Sequence, residues 1–441
     1  MDILFVFLLF STFMAVMFSG FPIAFVLGGV AVLFAALGTF LDGFAVDADM
    51  ASLRMIGFVA NRIFDTLSSY SLIPISMFVF MGMMLDKSGV AERLLTRMHS
   101  LLRVLPGGMA VSVVLIGVVL AASTGIIGAS VVLLATIAMP AMRSAGYDDQ
   151  MALGVIGATG CLGILIPPSI MLIVMGDQLQ IPVGDLFRGA MVPGLLLATA
   201  YVSYAVITAV LQPERAPAKP IEAGRSKGEM IRELLGSLVA PLLLVMAVLG
   251  SIVFGIATPT EASGVGAAGA TLIAVGSRKL NWEGFRDVCE GTAITTAFLF
   301  ALIFGASCFS VVLRGYGGDE LIEGALHALP LPPTGTLVLI LFVVFLLGFF
   351  LDWMEIVLIV APLVLPVLTA LGHEAAWVAI LMALCLQTSF LTPPVGMALF
   401  YLKNAVPDVE ISKIYLAALP FVAMQLGILL LVLGFPVLAL W

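Results

Sequence analysis

The chain is punctuated twice in the same way. Pro106, Pro140, Gly146, Pro167 and Pro168 recur without a gap as Pro332, Pro366, Gly372, Pro393 and Pro394, and Gly89 recurs as Gly315, each pair 226 residues apart. Every proline removes a backbone donor and fixes φ, and every glycine frees a backbone, so these positions dictate where helices begin, break and end. Two halves with matching breaks predict a fold built from two structural repeats. In a membrane chain that pattern marks a secondary carrier.

The chain is such a protein by composition, with 441 residues, 62% hydrophobic, 10% charged and a mean hydropathy of +1.20. Long apolar runs of this kind need lipid around them. The longest polar stretch is 212–233, which leaves no room for a soluble domain. The start, Met1-Asp2-Ile3-Leu4, has no basic segment before its apolar run, so residues 3–19 are expected to be a retained span and not a signal peptide. Cys161, Cys289, Cys308 and Cys385 show neither paired nor ligand spacing, so no disulfide frame or metal cluster is implied.

The first repeat, 1–211, opens with scaffold spans within 3–41. An amphipathic arm follows at 50–68, then an apolar segment at 71–85 and a basic one at 87–103. A hairpin at 107–142 turns at Ser123-Thr124-Gly125, and a helix at 150–176 is broken at Pro167-Pro168. A span at 188–211 closes the half, and the polar linker 212–233 follows. The second repeat, 234–441, has scaffold spans within 235–277, an amphipathic arm at 281–292 and a mixed segment at 314–332. Its hairpin, 333–369, turns at Asp352-Trp353-Met354-Glu355; its broken helix is 377–402, and its last span is 414–440.

Charge fixes the orientation. The linker carries Arg215, Lys219, Arg225, Lys227 and Arg232, which places it in the cytoplasm. The segment 87–103 is basic, whereas its repeat partner carries Arg314 against Asp319, Glu320 and Glu323. Equivalent segments of opposite charge belong on opposite sides, so the repeat is inverted. With both hairpins re-entrant, the two termini are periplasmic. Of the 19 Lys and Arg, only Arg54, Arg62, Arg188 and Arg314 then fall outside the cytoplasm.

A hydrocarbon core of about 30 Å takes roughly 20 helical residues, and the pieces around each Pro-Pro pair are shorter. Prolines at that depth strand carbonyls that lipid cannot satisfy, so such backbone must face protein or a wet cavity. Stranded carbonyls beside Thr159, Gly160, Cys161 and Gly163, or beside Gln387, Thr388, Ser389 and Thr392, suit Na⁺, and half-helix N-termini suit a carboxylate. The plainer reading is a kink whose hydroxyls bond back to the preceding turn. Asp352 and Glu355 are functional if they lie at membrane depth, or helix caps if they lie at the interface. Glu261 and Asp177 read as a helix cap and a surface residue. The amphipathic arms are either interfacial helices framing a moving domain or ordinary connections.

Enzymatic readings find little support. His99, His327 and His373 are scattered, with no H-E-x-x-H, and Tyr147-Asp148 lacks the second element of intramembrane aspartyl proteases. No phosphate loop is present, so ATP is not the direct energy source.

The runs LGILIPPSI (162–170), LFRGAMVPGLLL (186–197), GIATPTEASGVGA (255–267), LQTSFLTPPVGMALFYLK (386–403) and GFPVLALW (434–441) resemble the large membrane subunit of tripartite ATP-independent periplasmic (TRAP) transporters, the DctM type. The likeness runs through essentially the whole chain. It implies an all-α polytopic elevator-type carrier, with a scaffold and a transport domain of two re-entrant hairpins and two broken helices. It also implies Na⁺ as coupling ion and an organic acid as substrate. The implied partners are a small four-helix membrane subunit, expected here as a separate chain, and a periplasmic solute-binding protein; no nucleic acid is implied. Carried to matching positions, one Na⁺ site lies between Ser123, Thr124, Gly125 and Gly160, Gly163, Pro167. The other lies between Asp352 and Thr388, Ser389, Thr392, Pro393. Ser130, Thr159, Ser169, Glu355 and Gly396 are the candidate substrate contacts. The tip here reads Ser-Thr-Gly followed by isoleucines where family members often carry Ser-Gly-Ser, and Trp353-Met354-Glu355 follows the aspartate. The expected function is Na⁺-coupled uptake of an organic anion across the bacterial inner membrane. The rivals are a self-sufficient ion-coupled carrier and a channel-like or scaffold membrane protein.

Overall fold

The computed structural model describes residues 2–42, 53–102, 104–124, 127–218 and 227–441, and all regular structure among them is helical. The first half holds α1 (Asp2–Met17), α2 (Ile23–Asp42), α3 (Leu53–Ser68), α4 (Ile73–Lys87), α5 (Val90–Leu102), α6 (Gly108–Thr124), α7 (Ile127–Ser144), α8 (Asp149–Gly160), α9 (Ile170–Leu179) and α10 (Val183–Leu211). The second holds α11 (Lys227–Val253), α12 (Pro259–Gly276), α13 (Trp282–Gly315), α14 (Gly318–His327), α15 (Pro333–Leu347), α16 (Trp353–Glu355), α17 (Ala361–Ala370), α18 (Ala375–Leu391), α19 (Met397–Ala405) and α20 (Ile411–Gly434). Seven of the described helical stretches are long and apolar enough to cross a membrane.

The halves pack crosswise. Helix α2 lies along α13, and its counterpart α12 lies along α4. Helix α8 packs on α20, and α18 packs on α10. Each half-helix after a break reaches the other repeat's hairpin: α19 rests on α7, and α9 rests on α17 and the turn before it.

Three sets of contacts are arranged as an inverted repeat requires. The backbone N–H of Met109 donates to the Tyr147 hydroxyl at 3.1 Å, and that of Asp148 to the Arg215 carbonyl at 2.9 Å. The first hairpin therefore begins and ends beside the start of the linker, so it is re-entrant. The second leaves toward Trp377, whose indole donates to the Val432 carbonyl at the far end of α20. Helix α13 spans the distance between the faces. Lys87 pairs with Asp287 near its start at 2.8 Å, and Arg314 stands about 40 Å further along its axis. The segments that follow α4 and α13, equivalent in the repeat, thus occupy opposite ends of one helix.

Composition explains which helices are innermost. In α8 every residue from Met151 to Gly160 is buried, and in α18 every residue from Trp377 to Leu391. Helices apolar on all sides belong inside a bundle. The second amphipathic stretch is no separate arm, because residues 282–315 form one helix. The reason is local: Pro74 restarts the helix after α3 and a short 3-10 turn at Tyr70–Leu72, whereas no proline interrupts α13.

Candidate functional site

Both Pro–Pro pairs have a cis peptide bond and lie where a buried helix stops. Helix α8 tightens into a 3-10 turn at Cys161–Ile164 and ends; α9 starts afresh at Ile170 behind Ser169. The Ser169 hydroxyl donates to the Ile164 carbonyl at 2.6 Å. Among the described residues, no protein donor reaches the carbonyls of Leu165, Ile166, Pro167 and Pro168. Gly160, Gly163, Pro167 and Ser169 are all buried there, and the Thr159 hydroxyl, fully buried, has no partner. Buried polar groups left unpaired cost roughly 1–3 kcal/mol each, so a cluster of them calls for a ligand.

Gly160 sets the distance between this break and the first hairpin. A Cβ there would stand 2.9 Å from the Val131 Cα and 3.1 Å from its nitrogen, on α7. Ser130, next to Val131, is also buried. Gly125 lies outside the described residues, as do the side chains of Ser123 and Thr124.

The second break has the same plan with more hydroxyls. Thr388 donates to the Leu384 carbonyl at 2.7 Å, Ser389 to Leu386 at 2.9 Å and Thr392 to Thr388 at 2.6 Å. The bonding back to the preceding turn weighed from sequence is therefore present. It spends each hydroxyl proton and leaves the oxygen lone pairs able to accept. Among the described residues the carbonyls of Leu391, Pro393 and Val395 accept nothing. Gly396 closes the loop by donating to the Thr392 carbonyl at 3.0 Å. The amide of Gln387, one turn earlier and fully buried, is unpaired at both atoms.

The second tip meets this break through Gly348, where any Cβ would collide with the Ser389 hydroxyl. Asp352 caps α16 from a half-buried position without a side-chain cap bond. Glu355 is 1% exposed, and neither carboxylate oxygen has a partner. It is no interfacial cap. A π-helical turn, Ile356–Val360, follows directly, a distortion often found at working sites. By contrast Thr258 and Glu261 form a complete capping box, so the structural reading holds for Glu261.

The structure thus brings Gly160, Gly163, Pro167, Thr159 and Ser169 to one break, and Thr388, Ser389, Thr392, Pro393 and Gly396 to the other, with Asp352 four residues beyond the Gly348 contact. Sequence reasoning passed over Gly348 as a contact, and named Gln387 in the polar cluster beside the second break without making it a ligand. Gly348 carries no signal without the packing.

The family described as tripartite ATP-independent periplasmic transporter, DctM component, matches residues 10–438. The C4-dicarboxylate TRAP transporter large permease protein DctM of Pseudomonas aeruginosa is 32% identical over 383 residues, spanning 87% of this chain and 88% of that one. The isethionate TRAP transporter permease protein DctMQ of Oleidesulfovibrio alaskensis is 28% identical over 424 residues. That match takes in 96% of this chain but 64% of the relative, so this chain spans less than two thirds of its length. The crystal structure of the Alcanivorax borkumensis YdaH transporter superposes with a TM-score of 0.64 at 14% identity, over 96% of this chain and 98% of that one, a likeness of fold.

Proposed function

The chain belongs to the DctM component family of tripartite ATP-independent periplasmic transporters, and from that premise we propose that it carries an organic acid anion inward across the bacterial inner membrane, coupled to Na⁺. The observation that carries the coupling is the matched pair of breaks. Each gathers stranded carbonyls in protein interior and faces a hairpin of its own repeat. Hard cations take oxygen ligands, and no carboxylate cluster is needed for a monovalent one. Gly160, Gly163 and Pro167 with the first tip (Ser123, Thr124, Gly125) would hold one Na⁺. Thr388, Ser389, Thr392 and Pro393 with Asp352 would hold another.

The substrate contacts follow from charge. Helices α9 and α19 begin with unpaired N–H groups behind the breaks, and such termini favour anions. Ser169 and Gly396 precede those two helices, and with Ser130 and Thr159 they would be the substrate contacts. Glu355 would repel an anion and fits the cation side better. A C4-dicarboxylate and isethionate, named for the two relatives, are both small anions, which supports that substrate class.

Alternating access moves the buried core of α8, α18, the hairpins and half-helices against the framework of α2, α4, α12 and α13, as an elevator. A four-helix membrane subunit and a periplasmic binding protein are the partners. The test is uptake of labelled succinate or isethionate by proteoliposomes holding the permease, that subunit and the binding protein. Uptake should follow an inward Na⁺ gradient and collapse when K⁺ replaces Na⁺. Uptake indifferent to Na⁺ overturns the coupling. Uptake with no binding protein added favours a self-sufficient carrier.

A further inference from the structure

A cleft of about 250 Å³ opens between α3, α13 and the second hairpin, apart from both breaks. Ser307, Ser310 and Arg314 fall at helical spacing on one face of α13, and Arg62 of α3 shares the cleft. The opposite wall is Asp177, near the end of α9, with Pro362 of α17. The two arginines come from elements distant in sequence. They are also two of the four cations that the charge pattern assigns to the periplasmic side.

Among the described residues, neither Arg62 nor Arg314 has an ion pair or a hydrogen-bonding partner for its guanidinium. Asp177 does not serve them: its carboxylate accepts from Ser69 at 3.1 Å and from Gln178 at 3.0 Å. Both arginines are exposed to the cleft, and partial desolvation with the neighbouring Arg314 charge holds the Arg62 guanidinium below its ordinary value. Two like charges are thus held together, with two hydroxyls beside them and net positive charge in the cleft. An anion relieves that repulsion, and the guanidinium fork matches the paired oxygens of carboxylate or sulfonate. The volume is below the ~300–1,000 Å³ of pockets for drug-sized ligands, which favours a small anion.

We propose that this cleft is an anion way-station, in which Arg62 and Arg314 hold a small carboxylate or sulfonate on the periplasmic side before it reaches the breaks. Its place in transport rests on the carrier reading above; its capacity to bind an anion does not. Asp177 on the mobile wall then helps release, since its approach would displace the anion from the arginines.

The experiment separates the two readings. Purified permease in sodium-free potassium medium is treated with phenylglyoxal, and modification of Arg62 and Arg314 is followed by peptide mass spectrometry. Without Na⁺ the coupling sites lack their cation, so protection reports the cleft. Potassium succinate or potassium isethionate should slow modification of both arginines several-fold relative to potassium chloride at equal ionic strength. Equal rates in all three salts overturn the site. In reconstituted uptake, the double variant Arg62→Gln with Arg314→Gln should raise the KM for succinate about tenfold without altering the Na⁺ requirement. The Arg62→Lys, Arg314→Lys pair should restore only part of that loss, because lysine keeps the charge but not the fork. A wild-type KM in the glutamine variant overturns the way-station while the carrier stands. Wild-type permease that shows no Na⁺-dependent uptake sinks the carrier reading, and protection by anions then still decides whether the cleft binds them.

Discussion

Gly160→Ala places one methyl where the first break meets the first hairpin. The new Cβ would lie 2.9 Å from the Val131 Cα, against 3.4 Å where ordinary contact begins. The obstacle is backbone, so α7 must withdraw by about 0.5 Å or α8 must tilt. Overpacking of this kind costs about 1–3 kcal/mol. If that strain is relieved by spreading the hairpin from the break, the loss falls on the cation held between them. At 1.4 kcal/mol per tenfold, the apparent Na⁺ affinity should weaken about 5- to 140-fold. Initial uptake of labelled succinate against Na⁺ concentration measures this in proteoliposomes. Gly157→Ala is the control, one turn away on the same helix: its Cβ meets only the Leu402 and Leu391 methyls, at 3.4 and 3.5 Å. A folded Gly160→Ala protein with wild-type Na⁺ affinity, or an equal loss in Gly157→Ala, refutes the reasoning.

Other substitutions probe the second break and the frame. Asp352→Ala, or Ser389→Ala combined with Thr392→Ala, should weaken the Na⁺ dependence of uptake while membrane insertion is unchanged; unaltered dependence removes those residues from the ion site. Glu355→Met should raise the unfolding temperature, because it removes a buried carboxyl that has no partner, a defect worth about 1–3 kcal/mol. The same variant should abolish uptake, and full activity would make Glu355 merely structural. Thr258→Ala breaks the capping box of α12 and should cost about 1 kcal/mol, read as a lower unfolding temperature with unchanged KM for succinate.

Much of this architecture was readable from where prolines and glycines fall. The Pro-Pro pairs marked the breaks because proline acts on its own backbone, whatever surrounds it. The re-entrant first hairpin followed from counting charges, and the Tyr147–Met109 and Asp148–Arg215 contacts have that origin in space. What escaped depends on packing across long sequence separations. The π turn after Glu355 has no local signature. The seating of α9 on the second hairpin, and of α19 on the first, is a property of the folded pair of repeats. Continuity of α13 was hidden because its amphipathic start resembles an arm. The pairing of Arg62 with Arg314 was half visible, since both stood out as cations left on the wrong side of the charge count.

The mirror between the halves is the premise beneath both breaks, and accessibility labelling tests it most directly. In a background with Cys161, Cys289, Cys308 and Cys385 replaced by serine, Arg97→Cys on α5 and Glu323→Cys on α14 are each probed with an impermeant maleimide on right-side-out vesicles. Glu323→Cys should react from outside, and Arg97→Cys only after the membrane is permeabilised. Reaction of both from the same side would contradict the inverted arrangement and the paired sites built on it.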